Sequence, residues 1–180
     1  MPLYHKLGIF PQKRHTVSRQ SNGALYQEEL VGTQGFAGMS SLVYHLYPPT
    51  LVKESAEPYS VEPKVAVVHN MRARSFEGFK VTPIEDYLQS RKTLLVNSDL
   101  HIGLAAPTDS MTYFYKNADA DEMLFVHNRN GTLHTMYGSI PFEYGDYLII
   151  PRGTVYQLDF ETANNRLLIL ETFAPLFTPR

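Results

Sequence analysis

The stretch GDYLIIPRG, from Gly145 to Gly153, decides how the rest of the sequence is interpreted. Gly145 and Asp146 predict a turn that leads into a strand, while Pro151 and Gly153 predict the turn that ends it. A short apolar strand closed by turns at both ends is typical of domains built from short antiparallel strands. The stretch therefore favours an all-β fold.

The remainder of the chain repeats this pattern of short β-type runs between turn signals. Nine runs are predicted as strands: 41–47, 64–69, 93–98, 111–116, 122–127, 132–137, 146–151, 154–160 and 166–173. This number and spacing of strands predict a sandwich, a jelly roll or a barrel. At most one short helix is predicted, from Thr82 as the N-cap through Pro83 as the first helical residue to about Ser90.

Composition excludes several classes of protein. The 180 residues include 16 Lys and Arg, 18 Asp and Glu, and no cysteine, for a net charge of −2. A near-neutral chain has no general attraction to nucleic acid or anionic lipid, so neither partner is expected. Without cysteine there is no disulfide scaffold, thiolate zinc site or cysteine nucleophile. The start of the chain lacks a signal peptide, and no apolar run approaches the ~20 residues of a membrane span, so we expect a soluble, cytoplasmic protein.

Residues 1–40 differ in character from the rest of the chain. Basic residues such as Lys13 and Arg14 precede the first acid, Glu28. A nucleic-acid-binding arm is one interpretation, but the interleaving of basic and aromatic residues that such a surface uses is missing. We therefore expect residues 1–40 to be an irregular segment packed on the barrel or on a neighbouring subunit. Residues 41–180 are expected to form the jelly roll, within one structural domain.

Residues 122–137 are predicted to form a hairpin whose loop ends at Gly131. Strand alternation places Glu122 on the same face as Leu124, which is the apolar face. An unpaired buried carboxylate is costly, so an inward Glu122 needs a partner. The alternative is that Glu122 lies in water at the frayed start of its strand.

The opposite face of the predicted hairpin carries His127 and His134 as diagonal neighbours. Two histidines do not make a metal site without a third ligand and an open cavity. We therefore expect a polar outer face or an interface there. Phe125 shares this face, and it is predicted either to contact a neighbouring subunit or to pack under a second layer.

The stretch from Gly145 to Gly153 resembles the second motif of cupins, and Glu122 matches the glutamate of their first motif. In metal-binding cupins a histidine stands where this chain has Tyr156. The histidine pair of the first motif would fall at Lys116 and Ala118, or one residue earlier, and neither position holds histidine. The resemblance implies a cupin-like jelly-roll β-barrel in which Glu122 and Tyr156 are degenerate metal positions and no metal is bound.

Five segments in the same order resemble bacterial homogentisate 1,2-dioxygenases: 4–16, 26–36, 41–50, 121–133 and 145–154. The resemblance implies that the chain is the N-terminal half of such an enzyme. Family members hold Fe(II) with histidine and glutamate ligands in their other half, so no catalytic, cofactor or metal residue is assigned here. The complete enzyme opens the aromatic ring of homogentisate with O₂ at Fe(II), in tyrosine and phenylalanine catabolism.

The resemblance further implies that this segment alone is inactive. It would serve as a scaffold for the C-terminal iron-binding half and for a trimer-based homo-oligomer. The alternative is a stand-alone, metal-free cupin that binds a small aromatic or acidic ligand, with Tyr113, Tyr115, Glu122 and Tyr156 lining the barrel. These tyrosines could equally fill the barrel as core residues. A metal-dependent enzyme that uses Glu122 with a histidine such as His101 is a third hypothesis, which no spacing supports.

Overall fold

Antiparallel strands make up almost all of the regular structure in the computed structural model, which describes residues 17–67 and 72–177. Within these ranges the strands are β1 Gln27–Gln34, β2 Ala37–His45, β3 Lys92–Val96, β4 Leu100–Ala105, β5 Tyr115–Lys116, β6 Asp121–Asn128, β7 Gly131–Thr135, β8 Gly138–Phe142, β9 Tyr147–Ile150, β10 Val155–Phe160 and β11 Arg166–Thr172. The prediction of an all-β fold is confirmed.

The described residues divide into two compact units, 17–59 and 60–177. The first unit contains β1 and β2, which pair as an antiparallel hairpin. The irregular structure predicted for residues 1–40 is therefore wrong for β1, and the predicted boundary after residue 40 falls inside β2. The sequence hid β1 because charged residues and a glycine interrupt its alternation. Residues 1–16 lie outside the described residues, and the packing of this segment on the barrel stays a prediction.

The second unit is built from two antiparallel sheets. The five-stranded sheet has the order β3-β4-β11-β6-β9, and the four-stranded sheet has the order β5-β10-β7-β8. From β4 onward the chain crosses repeatedly between the two sheets, as expected for a jelly roll. The core lies between their inner faces and is formed by these buried side chains: Tyr87, Ala105, Met111, Leu124, Val126, Leu133, Phe142, Leu148, Ile150, Tyr156, Leu158, Phe160, Leu167 and Ile169.

The stretch that predicted the fold has the predicted local structure. Strand β9 is flanked by Gly145 and Gly153, whose φ angles are 95° and 80°. Left-handed backbone of this kind suits glycine because it has no side chain. The amide of Gly145 donates to the Val126 carbonyl at 2.8 Å, and the Val126 amide donates to the Asp146 carbonyl at 2.9 Å. The entry turn is thus fixed directly to β6.

The predicted hairpin at residues 122–137 is wrong in its pairing. Strand β6 pairs with β11 and β9, whereas β7 pairs with β10 and β8, so the connection is a corner between the two sheets. Arg129 makes the corner with a φ of 78°. His127 and His134 lie in different sheets and are not diagonal neighbours. The inward face was predicted correctly, because both strands face the same core: Glu122, Leu124, Val126 and Leu133 are all buried.

Two local predictions were wrong. The one α-helix of the described residues, α1, spans Tyr87–Ser90 and is capped by Asp86, whose carboxylate accepts from the Gln89 amide at 2.8 Å. Thr82 is not its N-cap, since Ile84 is held in a bridge to Pro107 before the helix begins. Residues 64–67 form no strand, and the rest of that predicted strand lies outside the described residues.

A short 3-10 helix at Gly78–Lys80 is the other helical element of the second unit's described residues. Neither it nor α1 approaches the length needed for a membrane span, and no described helix is long and apolar enough to cross a membrane.

Replacing Gly131 with alanine tests the corner between β6 and β7. A Cβ atom there would lie 2.1 Å from the Asp159 carbonyl oxygen and 2.8 Å from Cζ of Phe142, so the backbone has to shift. We expect Gly131→Ala to lower the free energy of unfolding by about 3 kcal/mol in a urea titration, at the upper end for overpacking. Ser139→Ala, on the exposed side of β8, is the control and should change it by less than about 0.5 kcal/mol. Equal effects of the two variants would contradict this packing.

Candidate functional site

A row of polar residues crosses the inner face of the five-stranded sheet at one end. His101 of β4 pairs in register with Glu171 of β11, and Glu171 pairs with Glu122 of β6. Residues directly opposite one another in an antiparallel sheet lie on the same face. Glu122 has no exposed surface, so its inward orientation, predicted from strand alternation, is confirmed.

The guanidinium of Arg91 joins the two carboxylates of this row. Nη1 donates to Oε1 of Glu122 at 2.9 Å, and Nη2 lies 2.7 Å from Oε1 of Glu171. Arg91 immediately follows α1, so the helix directs this side chain into the end of the barrel. Its planar guanidinium can bind two acceptors at once, which a lysine could not do with the same geometry.

The second oxygen of Glu122 is satisfied from the opposite sheet. The hydroxyl of Tyr156, on β10, donates to Oε2 at 2.9 Å, and Tyr156 itself is fully buried. Its ring packs edge-on against Tyr115 with a centroid separation of 5.5 Å. Glu122 therefore connects the two sheets through its two oxygens, and Glu122, Arg91, Glu171 and Tyr156 are called the barrel cluster below.

Tyr87 of α1 completes the surroundings of Arg91. The guanidinium carbon lies 5.7 Å from the centre of the Tyr87 ring, which is a cation–π distance. The Tyr87 hydroxyl is buried and close enough to Tyr156 to influence its ionisation, but it forms no hydrogen bond of good geometry. A missing bond of this kind leaves a local cost that the packing around Tyr87 has to offset.

Ionisation in the barrel cluster follows from burial and charge. Burial raises the pKa of Tyr87 and that of Tyr156 above the ordinary tyrosine range, and the charge of Glu122 adds to both shifts. Burial, followed by the charge of Glu122, raises the pKa of Tyr115 to about 12. Burial alone would lower the pKa of Arg91, but the negative charges around it outweigh this and raise the pKa. All three phenols are therefore neutral and Arg91 is charged at neutral pH.

The outer end of the row is partly exposed. The side chains of His101 and Glu171 are 22% and 20% exposed, in contrast to Glu122. Glu171 also accepts from the amide of Asn117 at 2.8 Å, and its other oxygen lies 3.7 Å from Nδ1 of His101. Solvent exposure thus increases along the row from the fully buried Glu122 towards the end of the barrel.

The four residues predicted to line the barrel separate into two groups. Glu122 and Tyr156 belong to the barrel cluster, and Tyr115 packs against it. Tyr113 instead donates to the carboxylate of Asp86, the helix cap, at 2.5 Å. A role of these residues in lining a ligand site stays a prediction.

Sequence reasoning missed Arg91, Tyr87 and Glu171. Glu171 had a usable signal, since it follows Leu167 and Ile169 in period two and so shares their inward face. Arg91 had none, because its contact with Glu122 joins residues 31 positions apart.

The barrel cluster does not fit a metal ion as it stands. A metal would need the lone pairs of Glu122, but Arg91 and Tyr156 already donate to both of its oxygens. The positive guanidinium would also repel a cation at this distance. Among the described residues, no group of three or more His, Asp and Glu is arranged to hold a metal. His101, the histidine suggested as a partner for Glu122, lies in the same row but is separated from it by Glu171.

Removing the guanidinium should expose the cost of the buried carboxylate. We expect Arg91→Met to lower the free energy of unfolding by about 3–5 kcal/mol at neutral pH, because Glu122 is left without a compensating charge. The control Lys92→Met removes the neighbouring exposed cation and should have little effect. A deficit equal to that of the control would show that Arg91 is not the counter-ion.

The buried phenols predict a loss of stability in alkali. Their pKa values lie above the ordinary 10.0, so the neutral form is favoured by folding. This contribution is complete below pH 10 and is lost as the pH rises from 10 through about 12, where Tyr115 ionises. Unfolding free energies measured across this window should fall less steeply for Tyr115→Phe than for the wild type. Tyr59→Phe, at an exposed position, should follow the wild type, and titration of every tyrosine near pH 10 in the folded protein would contradict the burial.

Comparison with known proteins places these features in context. No protein-family model matches the chain. It is 37% identical over 172 residues to a Saccharolobus solfataricus protein named "Putative dioxygenase SSO1533", covering 95% of this chain and 44% of that protein. It is 30% identical over 194 residues to homogentisate 1,2-dioxygenase of Nitrobacter hamburgensis, covering 95% of this chain and 42% of the enzyme.

Among solved structures, a cupin-2 domain protein of Shewanella frigidimarina is similar, with a TM-score of 0.41 and 18% identity. The match covers 46% of this chain and 79% of that protein. The chain spans less than half the length of the curated relatives it matches. Over almost all of its own length, however, the chain is related to proteins named as dioxygenases.

Proposed function

We propose that the chain is the scaffold half of a homogentisate 1,2-dioxygenase-like enzyme. The comparisons already relate the chain, over almost all of its length, to proteins named as dioxygenases. The barrel cluster is the observation that supports the role of a scaffold half. The two positions that match metal ligands in other cupins, Glu122 and Tyr156, bond to each other and to Arg91. A barrel sealed in this way supports a structural role.

The extent of the similarity supports a division of labour within a longer polypeptide. The dioxygenase-named relatives contain this region and more than as much chain again. In the proposed enzyme, that additional part holds Fe(II), which activates O₂ for cleavage of the aromatic ring. The present residues then contribute a stable barrel and surfaces for assembly into a cytoplasmic, trimer-based homo-oligomer.

The alternative of a metal-free barrel that binds an acidic ligand is less well supported. Such a ligand needs a cation free to pair with it, and Arg91 is already paired with both Glu122 and Glu171. The barrel cluster holds two carboxylates for one guanidinium, so an added anion would meet net negative charge. An aromatic ligand would also have to displace Tyr115 and Tyr156, which pack against each other.

The first test is the intact mass of the native gene product, together with its iron content. We expect a mass well above the 20.5 kDa of the present chain, and about one iron per polypeptide. A native product of 20.5 kDa without iron would overturn the proposed function.

Substitutions in the barrel cluster then test where the iron lies. We expect Glu122→Gln and Tyr156→Phe to leave the iron content and the ring-opening activity of the native product close to wild-type values, because neither residue ligates iron. Their effect should fall on thermal stability, since each loses a buried hydrogen bond. Loss of iron in a folded Glu122→Gln variant, with normal iron in Tyr59→Phe as the control, would place the metal in this barrel and contradict the proposal.

A further inference from the structure

The outer face of the five-stranded sheet carries a broad apolar band. Two rows of residues, paired from strand to strand, cross this face. The apolar residues of the first row are Leu104, Leu168, Phe125 and Tyr147, and those of the second row are Leu95, Ile102, Leu170, Met123 and Ile149. Lys92 of β3 pairs with Leu104 at the edge of the first row. Neighbouring strands lie ~4.8 Å apart, so the rows extend about 20 Å. The nine apolar residues are called the outer apolar face below.

The four-stranded sheet shows what an ordinary outer face looks like in the same molecule. Its outward positions on β10, β7 and β8 are mostly polar: Gln157, Asp159, Thr132, His134 and Ser139. An antiparallel sheet with one face in water normally alternates in this manner. The five-stranded sheet departs from this pattern at nine of the ten positions in the two rows, and Lys92 on the edge strand is the exception. Polar side chains reappear in the next row towards the end of the sheet, where Thr172 pairs with Asp121.

Several side chains of the outer apolar face remain well exposed. Tyr147, Leu95 and Ile149 are 63%, 50% and 48% exposed. The 3-10 helix lies near one end of the face, where the Phe79 ring is 4.9 Å from the ring of His127, but Phe79 is itself exposed. Tyr147, Leu95 and Ile149 lie on the two edge strands, and the six side chains between them on β4, β11 and β6 are half-buried. Apolar surface that stays partly exposed across a whole sheet is typical of an interaction site in soluble proteins.

We propose that the outer apolar face is the docking surface for the rest of a longer polypeptide, of which the present 180 residues are one part. This rests on the proposed function. Over half of each dioxygenase-named relative lies outside the matched region, so a large additional chain is available as the occupant. A tethered partner is present at high effective concentration whatever the protein concentration. Nine of the ten residues in the two rows are apolar, which is typical of permanent interfaces, since these are more apolar than transient ones.

Cysteine accessibility tests whether the face is covered. The 180 residues contain no cysteine, and peptide mass spectrometry assigns each label to its position in the native-length product. Tyr147→Cys and Leu95→Cys probe opposite edges of the face, and Ser139→Cys is the matched control on the polar sheet. We expect maleimide, followed by peptide mass spectrometry, to label the two face positions at least about tenfold more slowly than the control. Equal rates at either face position and at the control would overturn the proposal, and two probes are used in case one variant fails to fold.

Photo-crosslinking identifies the occupant. With benzoylphenylalanine in place of Tyr147, we expect adducts to peptides outside the present 180 residues. Adducts to residues 1–180 of a second copy, or no adduct, would overturn the proposal. The mass measurement separates the two levels of failure. A native product of 20.5 kDa removes the proposed function and this docking proposal with it, whereas a longer product with freely labelled positions removes the docking proposal alone.

Discussion

A carboxylate without exposed surface has to be neutralised from within the protein, and this requirement organises the interior around Glu122. Arg91 supplies the opposite charge from the end of α1, and Tyr156 supplies the remaining hydrogen bond from the facing sheet. The helix and both sheets of the second unit are therefore tied together at one residue. Arg91 and Tyr156 donate to both oxygens of Glu122, and Arg91 adds a positive charge that repels a cation. The contacts that stabilise this carboxylate therefore also disfavour a metal.

The residue before Glu122 uses the same chemistry for a different purpose. Asp121 is almost completely buried, and its oxygens accept from the amides of Arg152 at 2.9 Å and Leu176 at 2.8 Å. Successive residues of a strand point to opposite sides, so β6 directs one carboxylate into the barrel and the other towards neighbouring loops. The side chain of Arg152 also donates to Asp121, at 3.2 Å. Arg152 thus fixes the turn after β9, at the end of the stretch from Gly145 to Gly153, to Asp121 of β6.

Local sequence signals predicted most of the strands from β3 onward and the inward face of β6 and β7, but not how the strands pair. The corner at Arg129 has the same turn residues as a hairpin. Only the packing of β6 and β7 in two different sheets around one core distinguishes the corner from a hairpin. The helix begins later than predicted for a similar reason. Ile84 pairs with Pro107, so the helix can start only after it, and Asp86 becomes its N-cap in place of Thr82. Within the site, alternation predicted the burial of Glu122. Its partner Arg91 was unpredictable, since a guanidinium can reach any carboxylate that the fold brings near.

The interior and exterior of the barrel together restrict where this domain can act. Inside, aromatic rings and an internally paired guanidinium fill the end of the barrel around Glu122, so a ligand would have to break a buried ion pair to enter. Outside, the two sheets differ: one has the alternation of a solvated surface, and the other continues its apolar character outward. Such a face is less favourable in water than it would be when buried against another apolar surface. An apolar outer face is stable in a folded protein when another surface covers it. The filled interior and the apolar outer face therefore both favour a barrel that acts through its surface.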